Sequence, residues 1–167
     1  MKNLIPKIHI ELVPKTCFFT NVRSQVSQED WDLIRRQAYK NSNYKCDVCG
    51  DKGRMEAHEI WHYDDKKFIQ KLAGITCVCN HCHQLYHLGY ASTQGKLPQA
   101  IARLSKINNW KKEETEVYVE AVFEIWYKRS QKKWSLDLTL LDKANIKYSL
   151  TKPEQRAKTS EEKLKKL

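Results

Sequence analysis

The first 45 residues show two patterns of apolar spacing, one typical of a strand and one typical of a helix. In residues 7–13 apolar and polar side chains alternate, as they do in a strand that buries one face. Pro14 would end this strand, because proline cannot donate a hydrogen bond to a neighbouring strand. Ser27 then offers an N-cap for an amphipathic helix over residues 28–40, with Trp31 at the start of its apolar face.

Helical spacing returns in three later segments. Residues 64–72 predict a short connecting helix that Gly74 would end in a left-handed cap. Pro98 fits the first turn of the next helix, whose apolar side chains are spaced by three up to Asn108. Residues 113–129 predict the longest helix. Its predicted inward residues are Val117, Ala121, Val122, Ile125 and Trp126.

The C-terminal part of the chain divides into a final structured segment and a charged tail. Residues 134–141 alternate again and predict a second strand. From Thr151 onwards the chain has no aromatic residue and about half of its residues are charged, which is too little apolar surface to offset the entropy of ordering. We therefore expect one α+β domain over residues 1–150 and a basic, disordered tail over residues 151–167.

Composition and charge narrow the class of function. The chain has 167 residues, of which 41% are hydrophobic, so it can bury a core without disulfides. Its formal net charge of +10 favours a polyanionic partner, above all nucleic acid. The five glycines form neither a dinucleotide fingerprint nor a P-loop. There is no apolar run long enough for a membrane span or a signal peptide, so we expect a cytoplasmic protein.

Four of the six cysteines form two CxxC pairs that predict a structural zinc site. Cys46 and Cys49 are the first pair, and Cys79 and Cys82 are the second. In a cytoplasmic protein, two such pairs are more typical of one tetrahedral Zn²⁺ held by four thiolates than of disulfides. Cys77 is an alternative ligand because it lies two residues before Cys79.

Three histidines near the cysteine pairs predict a second metal ion. His83 and His87 are four residues apart, which places them on one face of a helix, one turn from each other. His58 follows the first cysteine pair by nine residues. Since the four thiolates already satisfy one zinc, these histidines are free to bind a separate divalent ion.

The segments CDVCGDKGRMEAHEIW and CVCNHCHQLYH resemble the HNH endonucleases of bacteria and phages that carry a four-cysteine zinc site. In that family a CxxC pair, an acid-x-His-His-Ile segment and a CxxCHxxxH segment frame a ββα-metal hairpin. The resemblance is close over residues 46–87. It implies an α+β fold with a zinc-bound, HNH-like ββα-metal centre over residues 46–90, flanked by N- and C-terminal helices.

The resemblance also implies roles for individual residues. His58, His83 and His87 would hold a divalent ion (Mg²⁺, Mn²⁺, Ni²⁺ or Zn²⁺) that contacts the scissile phosphate. The family's water-activating histidine follows the first ligand, where this chain has Glu59. Glu59 could act as a carboxylate base or could instead bind the ion. The family's asparagine, which orients the base, corresponds to Gly74 and is therefore missing.

Strand alternation identifies two further candidates for the base. In a regular strand His58 and Glu59 point to opposite faces, whereas Glu56 and His62 share the face of His58. In the family the paired residues sit where the strand bends into a loop, which keeps Glu59 as the first candidate. His62 is the second candidate and Glu56 is the third.

A cationic cluster at the end of the last predicted helix is the best candidate for contacts with DNA. Its members are Lys128, Arg129, Lys132 and Lys133. Lysine and arginine neutralise backbone phosphates, and Trp134 lies beside them. The alternative is that these cations only complement the dipole at the C-terminus of the helix.

Three functions are compatible with these patterns. The first is a metal-dependent HNH-type endonuclease that hydrolyses DNA phosphodiester bonds, with Glu59, His58, His83 and His87 as catalytic residues. The second is a catalytically degenerate HNH-like zinc scaffold that binds DNA or a protein partner, for example as a phage or defence-system factor. The third is a pair of finger-like zinc sites, which the short gap before His58 disfavours. Its two ligand sets would be Cys46, Cys49, His58 and His62, and Cys79, Cys82, His83 and His87.

Overall fold

A computed structural model describes residues 5–10, 12–18 and 20–150. The predicted basic tail, residues 151–167, lies outside the described residues. Within them the protein is a mixed α+β structure with one small sheet and five α-helices. None of the described helices is both long and apolar enough to cross a bilayer.

The sheet has three strands in the order β1-β2-β3. Strand β1 (Met55–Asp64) and strand β2 (Ile69–Cys79) form a long antiparallel hairpin, and the short strand β3 (Ser135–Asp137) runs parallel to β2. The register shifts between Ile60 and Trp61 of β1. Such an irregularity bends a strand locally and changes the direction of its side chains.

The helix predicted over residues 64–72 is wrong, because these residues form the turn of the hairpin and the start of β2. The carboxylate of Asp64 accepts hydrogen bonds from the backbone N–H groups of Lys66 and Lys67, at 3.0 and 2.9 Å. Phe68 has a positive φ of 54° and completes the turn. Gly74, predicted to cap a helix, lies inside β2 opposite Ile60.

The N-terminal strand predicted over residues 7–13 is also absent from the described part of the segment. Its alternation is real, since Ile8, Ile10 and Leu12 are buried. The backbone, however, bonds to side chains of later helices rather than to another strand. Lys7 N–H donates to Asn108 Oδ1 and Ile10 N–H donates to the Tyr118 hydroxyl, both at 2.8 Å.

The five α-helices of the described residues are α1 (Gln28–Asn41), α2 (Asn80–Tyr86), α3 (Leu88–Thr93), α4 (Leu97–Asn108) and α5 (Lys112–Arg129). Among them, α1 and α2 pack against the hairpin. Ser27 caps α1 as predicted, because its side chain accepts from the N–H of Asp30. Asn109 ends α4 in a left-handed conformation.

Two further predictions about the C-terminal half need correction. In α5 the side chains of Val117 and Ile125 are 66% and 48% exposed, whereas Thr115, Val119 and Val122 are buried. The strand predicted over residues 134–141 is reduced to β3, and a 3₁₀ segment (Thr139–Ala144) follows it.

The hydrophobic core of the described residues consists of three clusters, two of which include residues of the hairpin. One cluster joins the face of the sheet that carries Trp61 and Leu72 to α1. A second joins the N-terminal segment to α4 and α5. The third surrounds Val78 and three of the CxxC cysteines, where β2 passes into α2. The junction of β2 and α2 is therefore held between packed layers.

Candidate metal centres

The four CxxC cysteines come together at one end of the hairpin. Their sulfur atoms all lie within 4.8 Å of one another, with Cys49 Sγ and Cys79 Sγ separated by 3.7 Å. Two thiolates bound tetrahedrally to one zinc at about 2.3 Å lie about 3.8 Å apart. The group therefore has the dimensions of a zinc site. Cys77 is buried but does not belong to it.

Backbone and side-chain hydrogen bonds hold the loop of the first CxxC pair against β2. Asp47 N–H donates to Cys77 O, and the Asp47 carboxylate accepts from Cys77 N–H, both at 2.9 Å. Thr76 Oγ1 donates to the same carboxylate at 2.8 Å. Gly50, with φ of 76°, closes the turn and donates to Cys46 O. This loop is thus docked by contacts that do not involve the thiols.

Four thiols this close cannot all ionise without a nearby cation. Burial raises the pKa of Cys49 to about 12 and raises that of Cys82 as well. Burial acts on Cys46 too, but donors from the backbone of Cys79, Cys49 and Val48 outweigh it and lower its pKa to about 7. A bound Zn²⁺ would supply the charge that allows all four thiolates to form.

Three histidines form a second group beside the cysteines. His58 lies on β1, His83 on α2 and His87 at the end of α2, and their ligand atoms lie within 4.8 Å of one another. The Nε2 atoms of His83 and His87 are 3.1 Å apart. Two imidazoles bound tetrahedrally to one zinc at about 2.05 Å have nitrogens about 3.3 Å apart. The three rings therefore converge as ligands of one ion do.

A carboxylate fixes the orientation of one histidine in this group. Glu56 lies on the same face of β1 as His58, and its Oε2 contacts His83 Nδ1. Asn80 Nδ2 donates to the other oxygen of Glu56 at 3.2 Å. Burial opposes ionisation of Glu56, but Asn80 and His83 outweigh it and lower the pKa of Glu56. A carboxylate on Nδ1 leaves Nε2 of His83 free to bind a metal.

The surroundings of His58 and His87 favour neutral imidazole. Burial, together with the nearby His87 and His83, lowers the pKa of His58 to about 3. The ring of Tyr86 stacks on His58 with its centroid at 4.2 Å. Burial and His83 also lower the pKa of His87. Neutral imidazole is the form that binds metal.

Glu59 faces away from the three histidines, as strict alternation predicts. Its Oε1 accepts a hydrogen bond of 2.6 Å from Val22 N–H, which ties the N-terminal segment to β1. Burial raises the pKa of Glu59 to about 7, although donors from Val22, Arg23 and Trp61 act in the opposite direction. Glu59 is not part of the histidine group. Its predicted role as the base stays a prediction.

The other candidates for the base differ in their distance from this group. Glu56 contacts the histidine group directly. His62 is exposed, pairs with Lys71 across the hairpin and does not belong to the histidine group.

The two mixed cysteine and histidine sites of the finger-like alternative do not form, since the four thiols and the three imidazoles gather separately.

Two cavities meet at the histidines. One, of about 870 Å³, is lined by all three of them and also by Glu59. The other, of about 590 Å³, is lined by His83 and His87 together with Lys96 and Arg103. Both volumes lie within the range of about 300–1,000 Å³ of typical ligand pockets. His83 and His87 therefore line both cavities, whereas His58 lines only the larger one.

The predicted cationic cluster is partly committed to internal contacts. Arg129 donates to both oxygens of Asp65, at 2.9 and 2.8 Å, and lies over the ring of Tyr63. Lys128 pairs with Glu124 at 2.6 Å. Lys132 lies over the ring of Phe68, 5.7 Å from its centroid. Lys133, the fourth member of the predicted cluster, is exposed.

Lys96 and Arg103 are cations that sequence reasoning missed. Both line a cavity that His83 and His87 also line, and Arg103 Nε is buried without a hydrogen-bond partner among the described residues. No local motif marks them, because their position depends on how α4 packs against α2 and α3. The signal for Glu56 was present, since it lies two residues before His58 and thus on the same strand face.

No protein-family model, curated protein or solved structure matches this chain. The function is therefore inferred from the geometry of the two groups and from the charges and cavities around them.

Proposed function

We propose that the protein is a metal-dependent endonuclease of the HNH type that hydrolyses DNA phosphodiester bonds. The observation that carries the proposal is the convergence of His58, His83 and His87 on one point beside two open cavities. Three protein ligands leave a position free for a substrate, as in catalytic metal sites. The positive net charge of the chain supports an anionic polymer as that substrate.

Within this proposal the residues around the histidines have separate roles. The ion would polarise a phosphoryl oxygen and stabilise the leaving oxygen. Glu56 keeps His83 in the tautomer that presents Nε2. Lys96 and Arg103 hold the phosphate backbone along the smaller cavity. The four thiolates, bound to Zn²⁺, fix the junction from which α2 carries its two histidines.

The water-activating residue in this proposal is Glu59, by its position in the resemblance. Glu59 and His58 both line the larger cavity, although their side chains leave opposite faces of β1. The carboxylate of Glu59 is also bound to Val22, so the same side chain orders the N-terminal segment. Glu56 is the alternative base, since it is the carboxylate in contact with the histidine group.

A catalytically degenerate scaffold is the second candidate, and two observations favour it. Glu59 points to the opposite strand face from the histidines, and Gly74 has no side chain where the family has asparagine. A scaffold of this kind would keep both metal groups and bind DNA or a protein partner without cutting.

Cleavage assays with one matched variant separate the two candidates. Purified protein is incubated with duplex, single-stranded and branched DNA and with RNA, in Mg²⁺, Mn²⁺, Ni²⁺ or Zn²⁺. We expect cleavage by the wild type and none by His83→Ala. If no substrate is cut in any metal, and His83→Ala binds nucleic acid as tightly as wild type, the scaffold is correct.

A gain-of-function variant tests the resemblance to HNH enzymes independently. A Cβ added at Gly74 would meet no heavy atom within 4 Å, so Gly74→Asn should fold normally. If the site works as an HNH site, we expect the restored asparagine to raise the cleavage rate. A rate that falls in a folded variant would contradict the HNH alignment of this strand.

A further inference from the structure

An exposed aromatic ring lies one helical turn from the histidine group. Tyr90 is 70% exposed, the largest exposed fraction of any phenylalanine, tyrosine or tryptophan among the described residues. Ala91 N–H donates to His87 O at 3.0 Å, so the helical turn that contains Tyr90 begins at His87. Residues three apart on such a turn are neighbours on its surface. The backbone therefore places Tyr90 beside one of the three candidate metal ligands.

The described structure leaves this ring open to a ligand. The Tyr90 side chain makes neither a ring contact nor a hydroxyl hydrogen bond with the described residues. Tyr86, four residues earlier, differs from it, because its ring stacks on His58 with the centroids 4.2 Å apart. Packing in the core thus explains Tyr86 but does not explain an aromatic side chain at position 90.

The turn between α3 and α4 places a cation next to Tyr90. Lys96 N–H donates at 2.8 Å to the carbonyl of Ala91, the residue after Tyr90. Lys96 is exposed and forms no ion pair among the described residues. Arg103 lies on the same side, and the described residues that line the smaller cavity include neither Asp nor Glu. The charge around the exposed ring therefore favours an anionic ligand.

We propose that Tyr90 stacks on an unpaired nucleobase of a DNA strand whose phosphate is bound at the histidines, and that Lys96 contacts a neighbouring phosphate of the same strand. Proteins that bind single strands combine aromatic rings, on which bases stack, with cations that follow the backbone. Tyr90 and Lys96 supply one member of each kind on adjoining turns of the chain. This inference rests on the proposed nuclease function for the identity of the bound phosphate.

The inference makes the preferred substrate more specific. Inside a duplex both faces of a base are covered by neighbouring base pairs, so stacking on a protein ring requires a base that is unpaired or has left the stack. We therefore expect single-stranded DNA, or a duplex with a single-stranded end, to be bound more tightly than a fully paired duplex of the same length.

The first test compares binding of a single strand and of a duplex of equal length to the full chain. No divalent ion is added, so that a metal-dependent nuclease does not cut during the measurement. Tyr90→Ala should lower the affinity for the single strand by about 5- to 100-fold, the scale of losing one stacked base, and should leave the affinity for the duplex unchanged. Tyr90→Phe, which keeps the ring, should bind like the wild type. Tyr127→Ala is the matched control, because Tyr127 is 62% exposed but lines neither cavity.

Salt dependence separates the contribution of the ring from that of the cation. Lys96→Gln should lower the magnitude of the salt slope for the single strand by about 0.7, the value for one phosphate contact. Tyr90→Ala should weaken binding without changing this slope. Both side chains are exposed, so both variants should melt at the wild-type temperature.

A cross-linking test needs no variant. Short single strands that carry one 5-iodouracil, moved along the sequence, are irradiated in complex with the full chain, and mass spectrometry identifies the cross-linked residue. We expect an adduct on Tyr90 when the label occupies the stacked position.

The outcomes distinguish this inference from the nuclease proposal. If the wild type cuts DNA but Tyr90→Ala binds single strands normally and Tyr90 is never cross-linked, the stacking site is wrong and the nuclease stands. If Tyr90→Ala loses single-strand binding in a chain that cuts nothing, the stacking site stands and the nuclease is wrong. An equal loss for duplex and single strand, or an equal loss in Tyr90→Phe, would also overturn stacking on an unpaired base.

Discussion

The cysteine group and the histidine group lie side by side but differ in almost every physical property. Cys46, Cys79 and Cys82 are buried in an apolar cluster with Val78. The histidines line two cavities, and none of them is fully buried. Four thiolates would complete a tetrahedral metal site in the first group, whereas three imidazoles would leave one position open in the second.

The difference shows how two neighbouring groups of candidate metal ligands can have different roles. A set of four thiolates, three of them buried, would contribute mainly to folding stability, since the ligands are brought together only in the native state. The imidazoles are accessible, and a carboxylate contacts one of them. Their role would be to hold an ion that keeps one coordination position open for a substrate. Helix α2 carries ligands of both groups, so the first positions the second.

The largest expected effect is the loss of a cysteine ligand. Binding of a structural zinc is worth about 10–16 kcal/mol in small domains, which is comparable with the whole stability of a protein of about 5–15 kcal/mol. Cys46→Ser or Cys82→Ser should therefore unfold the central region and remove the zinc. Circular dichroism melting and elemental analysis of metal per chain measure both.

Cys77 provides the control for that experiment. It is fully buried and lies two residues before Cys79, but it is not part of the four-thiol group. Cys77→Ala should cost about 1 kcal/mol and keep the zinc. A normal melting curve for Cys82→Ser would disprove the four-cysteine assignment.

Loss of a histidine ligand should have the opposite signature. His58→Ala, His83→Ala and His87→Ala should keep the fold and the cysteine-bound zinc but lose the second ion. Loss of a carboxylate that orients a metal ligand lowers activity by about 10–100-fold. Loss of the ligand itself should lower the cleavage rate by more than this. His9→Ala, which changes a histidine outside the group, should retain activity. Unfolding of all three variants would mean that the histidines are structural.

Glu59→Gln tests whether the residue next to His58 takes part in chemistry. The variant keeps the shape of the side chain and an oxygen for Val22 N–H, but it removes the basicity. If Glu59 activates water, cleavage should slow by about 10² to 10⁴-fold while metal content is unchanged. A silent Glu59→Gln combined with an inactive His62→Ala would assign the base to His62.

Glu56→Gln should have a smaller effect of a different kind. Since Glu56 orients His83, its loss should weaken binding of the second ion by about 10–100-fold, and added metal should restore the rate. The test is a metal titration of cleavage beside that of Glu59→Gln. A rate defect that excess metal does not correct would make Glu56 the base rather than a positioning residue.

The grouping of the four cysteines and of the three histidines could be predicted from sequence because their geometry is mostly local. A CxxC pair presents two sulfurs within one turn, and the spacing of His83 and His87 is one helical turn. A single hairpin is enough to bring the two cysteine pairs together and to place His58 beside His83 and His87. The α+β class, the cap at Ser27 and the longest helix followed from equally local signals.

The parts that sequence missed depend on contacts between distant segments. The spacing of Phe68 and Leu72 is typical of a helix, but the turn at Asp64 and pairing along the whole hairpin place these residues in the turn and in β2. The N-terminal segment alternates like a strand, but the side chains of Asn108 and Tyr118 satisfy its backbone. The environment of Glu59 likewise depends on that segment and could not be inferred from β1 alone.

The smallest expected effect distinguishes two routes for DNA past the histidine group. Lys96→Gln with Arg103→Gln removes two charges from the smaller cavity, and Lys132→Gln with Lys133→Gln removes two from the predicted cluster. Each lost phosphate contact lowers the magnitude of the salt slope of DNA binding by about 0.9. Because Lys96 and Arg103 line a cavity at the histidines, we expect their double variant to lower that magnitude by about 1 to 2. A change confined to the Lys132 and Lys133 variant would place the DNA along the end of α5, as the sequence predicted.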